Sequence, residues 1–183
     1  ALAKYPHICQ LLIQLFTCKF DPNSKEDRER ASEEILNKIK ILLEKVLVLD
    51  EDRILNKFVN VISATLRTNY YQLKEGKQKP YVSLKIDCKA IDEMPLPRPK
   101  YEIFIYSPRV EAIHLRGGKV ARGGIRWSDR REDFRTEILG LMKAQMVKNA
   151  VIVPVGSKGG FIIKRPPSKD DPTFSLMNEV VFC

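Results

Sequence analysis

The sequence predicts an α/β fold of the α+β kind: an N-terminal helical layer followed by a mixed sheet with packed helices. Three observations carry that prediction. Apolar residues recur with a helical period through the first third, alternation takes over near residue 82, and the helical period returns after residue 129.

In chain order, Ile8, Leu11, Leu12, Leu15 and Phe16 fall at the offsets of one helix face, and DPNS at 21–24 breaks the run with cap candidates. A second helix is expected from about Lys25, with Ile35, Ile39, Leu42, Val46 and Leu49 as its inward stripe. Asp50 is positioned to cap a third helix bearing Ile54, Phe58, Val61 and Ile62. The charge runs KEDRER and DEDR read as solvated faces. Val82, Leu84 and Ile86 then alternate with Ser83, Lys85 and Asp87, as in a half-buried strand. EMPLPRPK, with its three prolines, reads as an extended connector. YEIFIY and VEAIHL are strands joined by SPR, and they should pair as a hairpin. Past the glycine-rich RGGKVARGGIRW, Asp129 with Glu132 offers a capping box, with Ser128 as a competing cap. Phe134, Ile138 and Leu141 begin the inward stripe of a helix reaching about Ala150. VIVPV at 151–155 reads as a buried strand running into a loop, GSKGG. The expected organisation is therefore a helical segment over 1–70, a sheet-bearing domain over 71–167 and an atypical tail over 168–183.

With 183 residues, 44% of them apolar, the chain can build a real core. Its net charge of +9 suits nucleic acid, an anionic membrane or small acidic substrates. Cys9, Cys18, Cys88 and Cys183 show no CxxC spacing, and His7 and His114 stand away from any ligand cluster. Reduced thiols in a cytoplasmic setting fit better than a zinc site or a disulfide framework. No apolar run approaches membrane-spanning length, and ALAKYPHICQ lacks the features of a secretory signal. The chain begins without methionine and ends abruptly at NEVVFC, as a fragment of something longer would.

Chemistry concentrates in the last third. Continued past Leu141, the helical stripe meets Gln145 and Lys148, so an amide and a cation stand where leucines should. Either Lys148 snorkels out at the helix end, where a cation complements the dipole, or it faces a cleft that receives an anion. The loop RGGKVARGGIR places Arg116, Lys119, Arg122 and Arg126 within eleven residues and carries two glycine pairs that let a ligand approach the backbone. It matches neither GxxxxGK[ST] nor GxGxxG, and Trp127 is its lone aromatic, so phosphate-loop, dinucleotide and single-strand readings lack their signatures. A basic surface loop is the plain alternative. Lys158, with glycines at 156, 159 and 160, could belong to a phosphate cradle, act as a catalytic amine or sit in a surface turn. If Arg122 and Lys148 lie nearby, like charge makes its neutral amine accessible as a general base. Three cations around one pocket would suit a small dicarboxylate.

The stretch VARGGIRWSDRREDFRTEILGLMKAQMVKNAVIVPVGSKGGFIIKR resembles the substrate-domain segment of glutamate dehydrogenases, in wording the very large NAD-specific bacterial class. LDEDRIL, ATLRTNYYQ and EIFIYSPRVEAIHLRGGKV extend the likeness over roughly residues 1–167. The resemblance implies a substrate domain whose Arg122 binds the substrate's side-chain carboxylate, whose Gln145 and Lys148 form the QxxK pair on the α-carboxylate, and whose pocket Gly123 and Gly124 shape. It implies Lys158 as the catalytic lysine, activating the water that attacks the imino carbon. The reaction implied is oxidative deamination of L-glutamate to 2-oxoglutarate and ammonia, with NAD held by a Rossmann domain absent from this chain. It further implies a homo-oligomeric parent with no nucleic-acid, membrane or metal partner. The family's catalytic aspartate has no match after the KGG loop, since Asp170 and Asp171 sit in a different context. The isolated chain is therefore expected to be inactive. A basic nucleic-acid-binding module and a non-catalytic remnant are the alternative readings.

Overall fold

The computed structural model describes residues 1–24, 27–148 and 155–165, with Lys148 described through its backbone alone. Three helices come first: α1 (Pro6–Phe20), α2 (Arg28–Leu43) and α3 (Leu49–Ala64). Proline at the start of α1 forfeits no helical hydrogen bond, because the first turn has no acceptors for its amides. The Asp27 side chain caps α2 by accepting from the amides of Glu29 and Arg30. One charge run thus contributes a cap as well as a solvated face. Lys25, the expected start of this helix, lies outside the described residues.

Three expectations for this layer are corrected. α3 is preceded by Val48, which makes no side-chain cap, and Asp50 lies inside the first turn with Glu51 and Asp52. Their negative charges act on the helix dipole instead of capping it. The inward residue of the following turn is Leu55, fully buried, while Ile54 is 46% and Phe58 42% exposed. Overlapping apolar stripes run along α3, and packing against α1 and α2 selects the one through Leu55, Val59 and Ile62. Leu49, assigned from sequence to the α2 stripe, opens α3 and is exposed. Ile8, Leu12, Leu15, Ile39 and Leu55 form the buried centre of this layer. Lys19 ties α1 to the end of α3, its ammonium donating to the carbonyls of Ile62 (3.1 Å) and Ser63 (2.6 Å).

The chain passes from α3 into β1 (Thr65–Thr68) with no intervening loop. A small hairpin, β2 (Leu73–Lys74) and β3 (Lys77–Gln78), precedes β4 (Val82–Asp87). β5 (Tyr101–Tyr106) and β6 (Val110–Arg116) form the predicted hairpin. β7 (Ile125–Trp127), α4 (Phe134–Lys148) and β8 (Ser157–Ile163) follow. The six-stranded sheet has the order β1-β4-β5-β6-β8-β7, antiparallel throughout except for the β7–β8 pair, so the sheet is mixed as expected. Ile113, Leu115 and Ile162 meet Phe134, Ile138, Leu139 and Met142 of α4 in a second core. The charged pair Glu102–Arg135 at 2.7 Å links β5 to α4 beside it. Desolvation, with Glu102 next in effect, pushes the buried Cys88 thiol up to about 12.

α4 begins at Phe134, not after an Asp129–Glu132 capping box, because residues 131–133 form a turn first. Its buried stripe runs through Ile138 and Met142, with Leu141 and Met146 only partly buried. The predicted strand at 151–155 falls mostly on residues 151–154, outside those described, and Val155 is exposed.

Candidate substrate site at the β7, β8 and α4 junction

Lys158 is not in a flexible loop. It lies in β8, paired with Leu115 of β6 on one side, while on the other the end of the glycine loop leads into β7, which pairs with β8 from Gly159 onward. Glycines at 159 and 160 hid that strand, since neither supplies an apolar or polar mark for alternation. They are required by contact. A Cβ at Gly160 would overlap the side chain of Ile138 on α4, and one at Gly159 would come within 2.8 Å of Ile125 and 3.1 Å of His114. The two glycines therefore look to opposite faces. Strand alternation puts Lys158 on the Gly160 side, the side covered by α4.

The glycine-rich loop is fastened along the same strand. Arg122 bridges to Gly156 in parallel fashion, its amide donating to Val155 and its carbonyl accepting from Ser157 (3.0 Å). The Gly124 carbonyl accepts from the Gly159 amide at 3.0 Å. Gly123 is where backbones come closest: a Cβ there would overlap the carbonyl oxygen of Ser157. At Gly124 the same atom would meet only the Lys158 ammonium, at 3.8 Å. Gly124 thus borders the space the amine occupies, while Gly123 is filled by the neighbouring strand. The first glycine pair also packs inward, Gly117 against Val155 and Gly156. The Arg116 guanidinium donates to the Lys119 carbonyl at 2.9 Å and bends the loop back on itself.

α4 supplies the third wall. A Cβ at Gly156 would stand 2.8 Å from the Gln145 Cβ, so the entry to β8 lies directly against the helix at this residue. Gln145 is partly buried there and makes contacts of its own. Lys148 is the last residue of α4, and its side chain lies outside the described residues. The backbone thereby gathers Arg122, Gly123, Gly124, Gln145 and Lys158 at one junction, with Arg122 exposed and Lys158 half-buried. His114 holds the far side of the sheet beside Gly159. Burial, then the charge of Arg116, lowers its pKa, and its buried Nδ1 has no partner.

Sequence reasoning missed Glu137 and Ser128 as a pair. Ser128 is buried and donates to Glu137 at 2.6 Å, while the other Glu137 oxygen lies 3.4 Å from Arg126. The sequence offered no signal for this pair, since a serine nine residues before a glutamate is an ordinary arrangement of polar residues.

The model of the family described as bacterial NAD-glutamate dehydrogenase, catalytic domain, matches residues 38–183. A protein of Halomonas elongata named NAD-specific glutamate dehydrogenase is 54% identical over 171 residues, covering 93% of this chain and 10% of that protein. The one of the same name in Pseudomonas aeruginosa is 57% identical over 190 aligned residues, 100% of this chain and 12% of its own length. That of Mycobacterium tuberculosis is 53% identical over 173 residues, 91% of this chain and 10% of its own. The chain thus spans about a tenth of the curated relatives it matches. A match of that extent, on a chain whose glycine loop, α4 and β8 converge on one lysine, shows that it belongs to the bacterial NAD-glutamate dehydrogenase catalytic-domain family.

Proposed function

We propose that this chain supplies the glutamate-binding part of an NAD-dependent glutamate dehydrogenase, which converts L-glutamate to 2-oxoglutarate and ammonia in the cytoplasm. The observation that carries the reading is the position of the Lys158 amine, in a mid-sheet strand against Gly124 and under α4. An ammonium on a strand paired on both sides is positioned by the sheet, as a group that must meet a reacting carbon requires. Arg122 binds the side-chain carboxylate of glutamate, where a guanidinium can engage both oxygens. Gln145 and Lys148 hold the α-carboxylate, and Gly124 leaves room for the substrate to approach Lys158. In its neutral form Lys158 accepts a proton from the water that attacks the imino carbon, and then steadies the carbinolamine as its ammonium.

Hydride acceptance belongs to NAD. The described glycines do not fit a pyrophosphate, because Gly123, Gly156 and Gly160 are already closed upon by Ser157, Gln145 and Ile138. NAD is accordingly assigned to residues outside this chain, and the intact protein to a homo-oligomer with no nucleic-acid or membrane partner. Among the described residues, no helix is long and apolar enough to cross a membrane.

The test is Lys158→Ala in the full-length protein, followed by NADH absorbance. Turnover should fall about a thousandfold, in the range of a lost general base, while glutamate still binds weakly. Near-normal kcat would sink the assignment. The 183-residue chain alone should give no glutamate-dependent NADH signal.

A further inference from the structure

β7 is one of the two edge strands of the sheet and is three residues long, yet it continues directly from Gly124, the backbone that borders Lys158. Edge strands this short are held weakly by their ladder alone. Arg126 lies on β7 opposite Gly160, two pairs along from the position where Gly124 faces Lys158 and so on the same side of the sheet. It is therefore a further cation on the α4 side, close to a site already rich in them. Glu137 meets it. The carboxylate is 15% exposed, lies 3.4 Å from the Arg126 guanidinium with one oxygen, and accepts from Ser128 at 2.6 Å with the other. Ser128 is itself pinned, its amide donating to Phe161 of β8 and its hydroxyl accepting from the Arg130 amide at 3.2 Å. Glu137 sits in the first turn of α4, whose other end carries Gln145 and Lys148.

We infer that Glu137 is a positioning residue, which clamps β7 to α4 through Ser128 and Arg126 and so holds Gly124 at its distance from Lys158. This inference rests on the substrate-site reading above. Two partners on one mostly buried carboxylate make the link stiffer than an isolated surface ion pair, which contributes little. Arg126, engaged by Glu137, is a strut of the site and not a ligand of the substrate. Its position in the RGGIR run, two residues past Gly124, gives no hint of that division of labour.

The experiment uses the full-length protein and reads KM for glutamate, kcat, and the Kd of 2-oxoglutarate by calorimetry without NAD. Glu137→Ala should raise both KM and Kd about tenfold, a loss of about 1.4 kcal/mol, with kcat within about threefold of wild type. Glu137→Gln, which can still bond both partners, should recover most of that loss. Arg126→Met should raise KM comparably, and the double variant Glu137→Ala/Arg126→Met should be no worse than the weaker single, since both remove one link. Wild-type KM and Kd in Glu137→Ala would overturn the clamp, even if the protein melts lower. Additive losses in the double variant would overturn it too, by showing that Arg126 acts on the substrate directly. A wild-type protein that neither binds 2-oxoglutarate nor reduces NAD with glutamate would instead remove the substrate-site reading and the clamp with it.

Discussion

The first 75 residues contain no glycine, whereas eight of the nine glycines fall between residues 117 and 160. That contrast separates two ways of building a core. In the α1–α3 layer, large apolar side chains fill the space between helices, centred on Leu15, Ile39 and Leu55. Around β7, β8 and α4, contact is made by bare backbone, as where Gly123 meets Ser157 or Gly160 meets Ile138. A core of side chains loses atoms when a residue shrinks. A core of backbones loses room when a residue grows, and it can hold one long side chain, Lys158, in fixed company.

Opposite substitutions should therefore damage the two regions. In the helical layer, Leu55→Ala should cost about 3 kcal/mol in urea unfolding of the chain, the usual cost of a buried leucine, against about 0.5 kcal/mol for Ile54→Ala one residue away. Equal losses would mean that the α3 stripe is misassigned. Beside the site, Gly123→Ala should destabilise by about 2 kcal/mol, because the added methyl meets a carbonyl that cannot yield. Gly124→Ala, whose methyl would meet only the Lys158 ammonium, should leave unfolding near wild type while weakening 2-oxoglutarate binding in the full-length protein. If both glycines behave alike, the division between packing glycine and pocket glycine fails.

Gly140 offers a smaller test in the opposite direction. It lies exposed in mid-α4, and a Cβ there would meet nothing within 4 Å. Gly140→Ala should stabilise the chain by about 1 kcal/mol through helix propensity, so a loss would show that glycine serves a contact there too. The smallest effect belongs to His114. Burial lowers its pKa in the folded state below the ordinary 6.5, so the unfolded chain binds its proton more readily. Stability should be fully present above 6.5 and decline as pH falls through the lower folded value. His114→Leu should flatten that decline in urea midpoints measured from pH 7 to pH 5, and an unchanged slope would remove His114 as its source.

The two regions also differed in how much their sequence disclosed. α1 and α2 were visible because buried and exposed positions differ in chemistry, as Leu12 and Leu15 do from Gln10 and Gln14. α3 was located but rotated, because Ile54, Leu55, Phe58, Val59, Val61 and Ile62 supply two apolar stripes, and only packing distinguishes them. The start of β8 was hidden as a loop. Periodicity needs side chains, and SKGGFII offers glycine where the pattern would be written. The candidate site residues were nonetheless legible as residue types, since a lysine among glycines and an amide on an apolar stripe are anomalies wherever they fold. The Glu137–Ser128 link was not, because its parts are ordinary polar residues until α4 folds back onto the sheet.

Seven residue pairs join β6 to β8, from Val110–Ile163 to Arg116–Ser157. A slip of that ladder by one residue would preserve most of its hydrogen bonds and turn Lys158 to the side of the sheet now held by His114 and Ile125. Such a molecule would be folded, compact and without an amine under α4. In one direction Ile138 guards against it, since the slip would bring Phe161 to the place of Gly160, where a side chain has no room. The fraction of a preparation with Lys158 under α4 is in this sense a count of molecules whose strands paired correctly, which spectroscopic measures of secondary structure would not distinguish.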